Sequence, residues 1–425
     1  MSIVYACNEN VAHSAAPPIP LAGAWARRFP ASPDNPLINL SQGVPGAPPP
    51  PELLSKLGEA AADPKTTGYG ALQGDDGIRS ALARDIAQTY GNKGGALPVN
   101  VEDVVVTAGC NLASRRLLIC SIATTPLMLP RGQAFYATLL ALAAPGDEVI
   151  LPTPWYFNHQ MSLNQLGLSL VPLRCAPPSF LPSPAGCAQL VTPRTKAIVL
   201  VSPNNPTGAI YPPELLRQFA ELAQERKVAL IVDETYREFV TGRPHDLFAE
   251  TDWRSYLIHL FSFSKSYAIP GHRLGALVAS PSFQQHVYRL LDCLQICPAR
   301  PAQRTVEWAI DATRPWREGV REELARRQDV FREMLDEVEG WEVETGGAYF
   351  AYVKHPYPGA SSELVASRLA EHVGIVALPG TFFSPPFDNV DDDAFIRFSI
   401  ANVSENVLRR VPERLRRLNE LWPSL

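Results

Sequence analysis

Ala229-Leu230-Ile231-Val232-Asp233-Glu234-Thr235-Tyr236 is the stretch whose reading decides the fold. Its first four residues form an uninterrupted apolar run, the signature of a strand buried on both faces. The run ends on an acid, and a tyrosine follows three residues later. The same design recurs outward from it. Ala197–Val201 runs into Ser202-Pro203-Asn204-Asn205-Pro206-Thr207-Gly208, and Leu257–Phe261 runs into Ser262-Phe263-Ser264-Lys265-Ser266-Tyr267, with Arg273 eight residues after the lysine. Val104–Thr107, Glu148–Leu151 and Gly275–Val278 read as further strands, and stretches such as Ile78–Tyr90 and Pro213–Arg226 carry helical periodicity. Buried strands alternating with helices predict an α/β fold, with a mostly parallel sheet flanked by helices.

After about Arg300 the pattern changes. A charged helix from Arg317 to Glu337 is followed by a strand at Ala348–Val353, a helix at Ser361–His372 and a strand at Ala394–Ser399, which reads as a smaller α+β domain. The 425 residues also exceed one ordinary core, which holds about 100–200. The expected division is an extended arm over 1–50 that joins the small domain, a large domain over 51–300, and the small domain over 301–425. Pro48-Pro49-Pro50-Pro51 closes the arm, and such proline density favours extended chain.

Composition narrows the function classes. The net charge of −5, with both signs mixed along the chain, argues against a nucleic-acid surface. No apolar run reaches the roughly 20 residues a spanning helix needs, and the N-terminus lacks the pattern of a secretory signal. The seven cysteines are odd in number and irregular in spacing, which points to free thiols in a reducing compartment, the cytoplasm. Cys293 and Cys297 lie four apart with no second Cys/His pair, so they read as thiols and no metal site is expected.

Taken singly, the three polar segments are ordinary. The first is turn chemistry, an acid at a strand's end is often a helix cap, and a lysine among serines is usually solvated. Taken together they sit at the carboxyl ends of parallel strands, where open α/β sheets bind ligands. They also offer what pyridoxal phosphate requires: a lysine for a Schiff base, an acid for the ring nitrogen, donors for the phenolic oxygen and a cation for the phosphate.

In these motifs the chain resembles the fold-type-I aminotransferases, the class that includes aspartate aminotransferase, from Leu40-Ser41-Gln42-Gly43 to Arg397. The resemblance implies a pyridoxal-phosphate-dependent aminotransferase that moves an amino group between an amino acid and a 2-oxo acid, working as a homodimer. It implies that Lys265 forms the Schiff base and later carries the proton. Asp233 resembles the acid that keeps the ring nitrogen protonated, since a carboxylate in contact stabilises the charged form. Asn205 and Tyr236 resemble the donors to the phenolic oxygen. Ser262, Arg273 and the turn Gly109-Cys110-Asn111 resemble the phosphate site, and Tyr69 resembles a tyrosine that reaches the neighbouring subunit's phosphate. Arg397 resembles the arginine that grips the substrate α-carboxylate, and Gly43 a glycine whose backbone lies against the substrate. Tyr156 resembles the aromatic that stacks on the cofactor ring, with Trp155 as the alternative register.

The shared motifs leave two other readings open: a carbon–heteroatom lyase or cyclising enzyme on the same scaffold, and a non-catalytic scaffold or regulator. The amino donor is not legible beyond a neutral or aromatic residue. One departure from the pattern stands out. The 21 residues Leu112–Gly132 lie between the phosphate turn and the helix that begins Gln133-Ala134-Phe135-Tyr136. They are read as translated intron or another gene-model error, as a surface excursion, or as a specificity lid. An insertion here is expected to separate the loop amides from the helix and to impair cofactor binding.

Overall fold

The computed structural model describes residues 8–12, 14, 16–91, 99–110, 133–389 and 392–425. Seven strands form the large sheet: β1 (Val104–Thr107), β2 (Glu148–Thr153), β3 (Ser169–Arg174), β4 (Thr195–Val201), β5 (Ala229–Asp233), β6 (Leu257–Ser262) and β7 (Gly275–Val278). Their order is β1-β7-β6-β5-β4-β2-β3. All run parallel except β7, which is antiparallel to both neighbours. The central strands are buried along nearly their whole length because helices cover both faces, which is why they read as unbroken apolar runs. Strand β3 escaped that reading. It is an edge strand in which only Leu173 is fully buried, and it carries Pro172, which an edge tolerates.

Register sets the site. Val201 pairs with Asp233, and Asp233 with Leu260, so β4, β5 and β6 end level with one another. The loops that leave them therefore open onto one edge of the sheet, as the sequence reading requires.

The smaller sheet is antiparallel, in the order Leu378–Pro379, Phe395–Ser399, Phe350–Lys354, Glu342–Gly347. Arg397 stands opposite Tyr352 on one side and Leu378 on the other. Its core takes in Ile38 and Leu40 of the N-terminal arm, together with Phe331 and Leu335 from the helix Arg314–Asp336. The arm joins this part of the molecule through Ile38–Asn39, which pairs in parallel with Ile375–Val376.

Two details differ from the sequence reading. The arm is not wholly extended, because Pro18–Ala26 is helical. Pro18 and Pro20 fall in the first turn, where the missing N–H has no intrahelical partner to lose. The helix Arg300–Ala312 sits with the large sheet, its Ala302, Val306, Ala309 and Ile310 packed in that core. On that packing we place the boundary near 312 rather than at 300. Among the described residues no helix is long and apolar enough to cross a membrane.

The segment Leu112–Gly132 lies outside the described residues, but its flanks do not. Ala134 N donates to Gly109 O (3.3 Å) and Phe135 N to Cys110 O (3.5 Å). The helix Gln133–Leu142 thus starts directly on the phosphate turn, and the expected separation of loop from helix is corrected. Closure entropy grows only slowly with loop length, so ends this close tolerate a long intervening chain. Deleting 112–132 is expected to leave affinity for pyridoxal phosphate within a few-fold of full length. A side-by-side titration checks this, and a large gain on deletion would overturn it.

Candidate active site

A cavity of about 400 Å³ opens at the level ends of β4, β5 and β6. Gly43, Tyr156, Asn205, Asp233, Tyr236, Ser262, Lys265, Arg273 and Arg397 all line it. Nine of the positions singled out from sequence, drawn from segments more than 350 residues apart (Gly43 to Arg397), therefore meet in one place.

Lys265 lies in the short helix Phe263–Ser266 that Ser262 caps, the Ser262 Oγ accepting from Ser264 N at 3.2 Å. Its Nζ donates to the Gly43 carbonyl. Burial, reinforced by the positive charges of Arg273 and Arg397, pulls its pKa from 10.5 down to about 7. Near neutral pH much of Nζ is therefore uncharged and nucleophilic, which Schiff-base chemistry requires. The sign is clear: a lowered pKa means the amine loses its proton near pH 7 instead of near 10.5. Attachment of pyridoxal phosphate to the apoprotein is expected to speed up as pH rises to about 7 and then to level off. Stopped-flow measurement of the attachment rate checks this, and a rate still climbing tenfold per unit above about pH 8 contradicts it.

Asp233 is the last residue of β5 and is buried. One carboxylate oxygen, Oδ1, accepts from Thr235 N (3.0 Å) and Thr235 Oγ1 (2.7 Å). His159 Nε2 lies 3.2 Å from the other, Oδ2, with its ring against Phe135. These contacts fix the carboxylate and keep an acceptor beside the cavity. The sequence reading missed His159 and Thr235, although Thr235 falls inside the stretch it quoted first. Their spacing gave no sign that either side chain would turn toward Asp233.

Arg273 adopts a left-handed backbone (φ 52°). Its Nη1 donates to the Pro270 carbonyl and, at 3.4 Å, to Ser264 Oγ, another residue the sequence reading did not single out. Its Nε and Nη2 are buried without a partner, an arrangement that is costly unless an anion arrives. Gly109 (φ 90°) packs so close that a Cβ there would sit 2.2 Å from Arg273 Nη2. Buried unpaired N–H groups and a turn that only glycine can make form a cradle that fits a phosphate. Burial lowers the Arg273 pKa to about 10, so the side chain stays cationic at neutral pH.

Arg397 is buried, and its guanidinium lies over the rings of Phe350 (4.7 Å) and Phe383 (5.0 Å). Its Nη1 donates to Asn205 Oδ1 (2.8 Å) and its Nη2 to the Ser41 carbonyl. The first bond orients the Asn205 amide, placing its oxygen on the arginine and leaving its NH₂ free to donate elsewhere. Arg397 Nε has no partner. Burial lowers its pKa to about 10, which still leaves it charged.

The remaining positions resolve as follows. Tyr156 lines the cavity, whereas Trp155 is packed in the core behind it, so of the two registers Tyr156 is the residue that faces the cavity. Burial raises the pKa values of both Tyr156 and Tyr236, which keeps their hydroxyls protonated donors. Gly43 packs against Phe350, and a Cβ there would come within 2.6 Å of that ring. Cys110 is buried beneath the cavity with Sγ 3.8 Å from Asp233 Oδ1, while Asn111 lies outside the described residues. Tyr69 is not in the cavity of its own chain; it is 80% exposed.

A second buried cluster adjoins this site. Glu234 Oε2 accepts from Tyr90 Oη, and the Nε2 atoms of His259 (2.8 Å) and His245 (3.2 Å) face the same oxygen. Three residues of metal-ligating type, one carboxylate and two imidazoles, thus converge within 4.8 Å. Hydrogen bonding argues for another role. Leu247 N donates to His245 Nδ1 (3.2 Å), which leaves the imidazole proton on Nε2, pointing at the carboxylate rather than offering a lone pair to an ion. Burial by itself would raise the pKa of Glu234, but the two imidazoles outweigh it and hold the residue ionised. The cluster anchors the chain immediately after Asp233.

Known proteins share this arrangement. Residues 35–415 match the family described as aminotransferase class I and II. The chain is 27% identical over 402 residues to the aromatic aminotransferase ISS1 of Arabidopsis thaliana, covering 93% of this chain and 92% of that one. It is 30% identical over 322 residues to the arginine–pyruvate transaminase AruH of Pseudomonas aeruginosa, covering 75% of each. Among solved structures it is similar to aspartate aminotransferase from Thermus thermophilus with maleate, at TM-score 0.82 and 26% identity, covering 98% of this chain and all of that one. With that family match and a cavity whose unpaired groups fit the cofactor, the chain belongs to the class I and II aminotransferases and is a pyridoxal-phosphate-dependent enzyme that transfers amino groups.

Proposed function

We propose that the cavity binds an amino acid and then a 2-oxo acid in turn, with Arg397 holding the α-carboxylate of each. The observation that carries this is the convergence of Lys265, Asp233, Arg273 and Arg397 in one cavity. When bound, pyridoxal phosphate supplies an electron sink for the bond broken at the substrate α-carbon. Arg273, Ser262 and the turn at Gly109 and Cys110 would hold its phosphate, and Tyr156 would face its ring. Asp233, braced by Thr235 and His159, would hold a proton on the ring nitrogen. Asn205 NH₂ and Tyr236 Oη would donate to the phenolic oxygen. Lys265 Nζ would take the proton from the substrate Cα and carry it back to the cofactor side, a role its lowered pKa favours near neutral pH. Apolar walls and the buried rings around Arg397 exclude water, which strengthens each of these charge contacts.

The test is a half-reaction with each of a panel of amino acids. Transamination yields a stoichiometric 2-oxo acid and leaves the amino group on the cofactor. Release of ammonia with the original spectrum restored establishes the lyase reading instead.

The working unit in this proposal is a homodimer, and its place the cytoplasm. Tyr69 supports the dimer, since a phenol this exposed serves no site in its own subunit and stands ready to meet a partner's phosphate. Mixing Lys265→Ala protein with Tyr69→Phe protein is expected to give activity above either parent once subunits exchange, because one of the two mixed sites is whole. Activity no higher than the better parent, with exchange verified by mass, rules out the shared site.

A further inference from the structure

We infer that the substrate is an amino acid with a large apolar side chain, and that Ile19, at the start of the helix Pro18–Ala26, sets this preference. The inference rests on the transamination reading above.

The α-carboxylate anchor fixes where the side chain must lie. Arg397 is held between Phe350 and Phe383. Phe383 belongs to an apolar cluster with Ala22, Trp25 and Phe157, against which Ile19 and Tyr156 are packed partly buried. The same cluster includes Ala366 and Ala370 of the helix Ser362–Val373. The helix Pro18–Ala26 docks there by one face, Pro18, Ala22 and Trp25 recurring at helical spacing and all buried. Its first turn is thereby pinned over the cavity, and Pro17, Pro18, Ile19 and Pro20 line the wall beside Val44 and Phe157.

That wall offers a substrate side chain no charge to pair with, Gln42 beside Val44 being its uncharged polar neighbour. Among the described lining residues the cationic groups are Lys265, Arg273 and Arg397, and the acid is Asp233. All four already have work on the cofactor or the α-carboxylate. A second carboxylate, or a side-chain ammonium, would lose its water against Ile19 and Phe157 and gain no counter-charge from these lining residues, which is strongly unfavourable. A side chain of phenylalanine, methionine or leucine type would instead bury apolar area in proportion to its size. The sequence pattern predicts extended chain at Pro18–Ala26, and the specificity wall exists only because that segment is helical.

The experiment uses the holoenzyme and has two readouts. The first is kcat/KM for phenylalanine, methionine and leucine against aspartate, glutamate and lysine. The second is the affinity of unreactive carboxylates, 3-phenylpropanoate against succinate, measured by calorimetry. The expected results are a preference of at least about 100-fold for the apolar donors and tighter binding of 3-phenylpropanoate by at least about tenfold. Ile19→Ala is expected to reduce both ratios about tenfold, and Ile19→Met, which keeps the volume, to preserve them. Aspartate or lysine used as well as phenylalanine overturns the substrate class, and ratios unmoved in Ile19→Ala overturn the role of Ile19. If transamination itself fails, with ammonia released instead, the carboxylate affinities still decide the inference. Should Ile19→Ala misfold, Ile19→Thr, nearly isosteric with valine but hydroxylated, is expected to lower both ratios, and unchanged ratios there overturn the role equally.

Discussion

Lys265→Ala is expected to lower turnover by about 10⁴-fold while leaving the cofactor bound. In the proposed mechanism the change removes two functions at once, the covalent tether and the proton carrier, because a single atom, Nζ, would perform both. The proposed phosphate cradle at Arg273, Ser262 and Gly109 is untouched, so binding is expected to persist without a covalent bond. The cost to the fold is modest in kind: the Gly43 carbonyl loses its donor, and a small cavity opens beside a larger one. Borohydride reduction followed by peptide mapping provides the check. In wild-type protein the label falls on Lys265, and in the variant reduction fixes no cofactor. A label on another lysine, or a residual rate within about tenfold of wild type, would show that a different residue does this work.

Asp233→Asn is expected to cut the rate about 10²–10³-fold, the usual loss when a preorganised charge is removed from an active site, with little loss of stability. The amide keeps an oxygen for Thr235 N and Thr235 Oγ1, which now bond to Oδ1, so the turn after β5 stays in place. What disappears is the negative charge that, in the proposed mechanism, would hold a proton on the ring nitrogen, and with it the cationic ring that would accept electrons from the α-carbon. Melting temperature and steady-state rate measured on the same preparation separate the two effects. A variant keeping more than about a tenth of the wild-type rate has lost less than about 1.4 kcal/mol of barrier stabilisation, too little for an essential charge.

Both predictions concern residues that stand out in the amino-acid sequence, and the reason is physical. Lys265, Asp233 and Asn205 lie at or just beyond the ends of buried strands, where an apolar run followed by a polar residue is conspicuous, and Arg273 lies just before the strand Gly275–Val278. The strand runs themselves were legible because helices cover both faces of the sheet, which forces continuous apolar sequence. Their parallel sense followed from the helices between them, although β7 runs the other way and nothing in Gly275–Val278 announced it.

Other features depended on contacts distant in sequence, to which local pattern is blind. His159 reads as one more polar residue on a helix until the fold sets it 3.2 Å from Asp233 Oδ2. Ser264 gained meaning only from Arg273, and Glu234 only from the imidazoles of His245 and His259. The choice between Trp155 and Tyr156 turned on which way a loop faces, and the cavity decided it. The helix Pro18–Ala26 was hidden by prolines that a first turn accepts at no loss, and its packing on Ala366 and Ala370 is what holds it over the site.

The sequence by itself determined the large α/β sheet and the cofactor, and it marked nine residues that the fold brings to one cavity, because each need of the cofactor is met by a residue type at a strand end. Only the tertiary structure decided how those residues are braced, that the phosphate turn and the helix at Gln133 stay joined across the 21-residue segment, and what wall the substrate side chain meets. Those properties arise where separate segments converge, and such convergence is set by packing rather than by spacing along the chain.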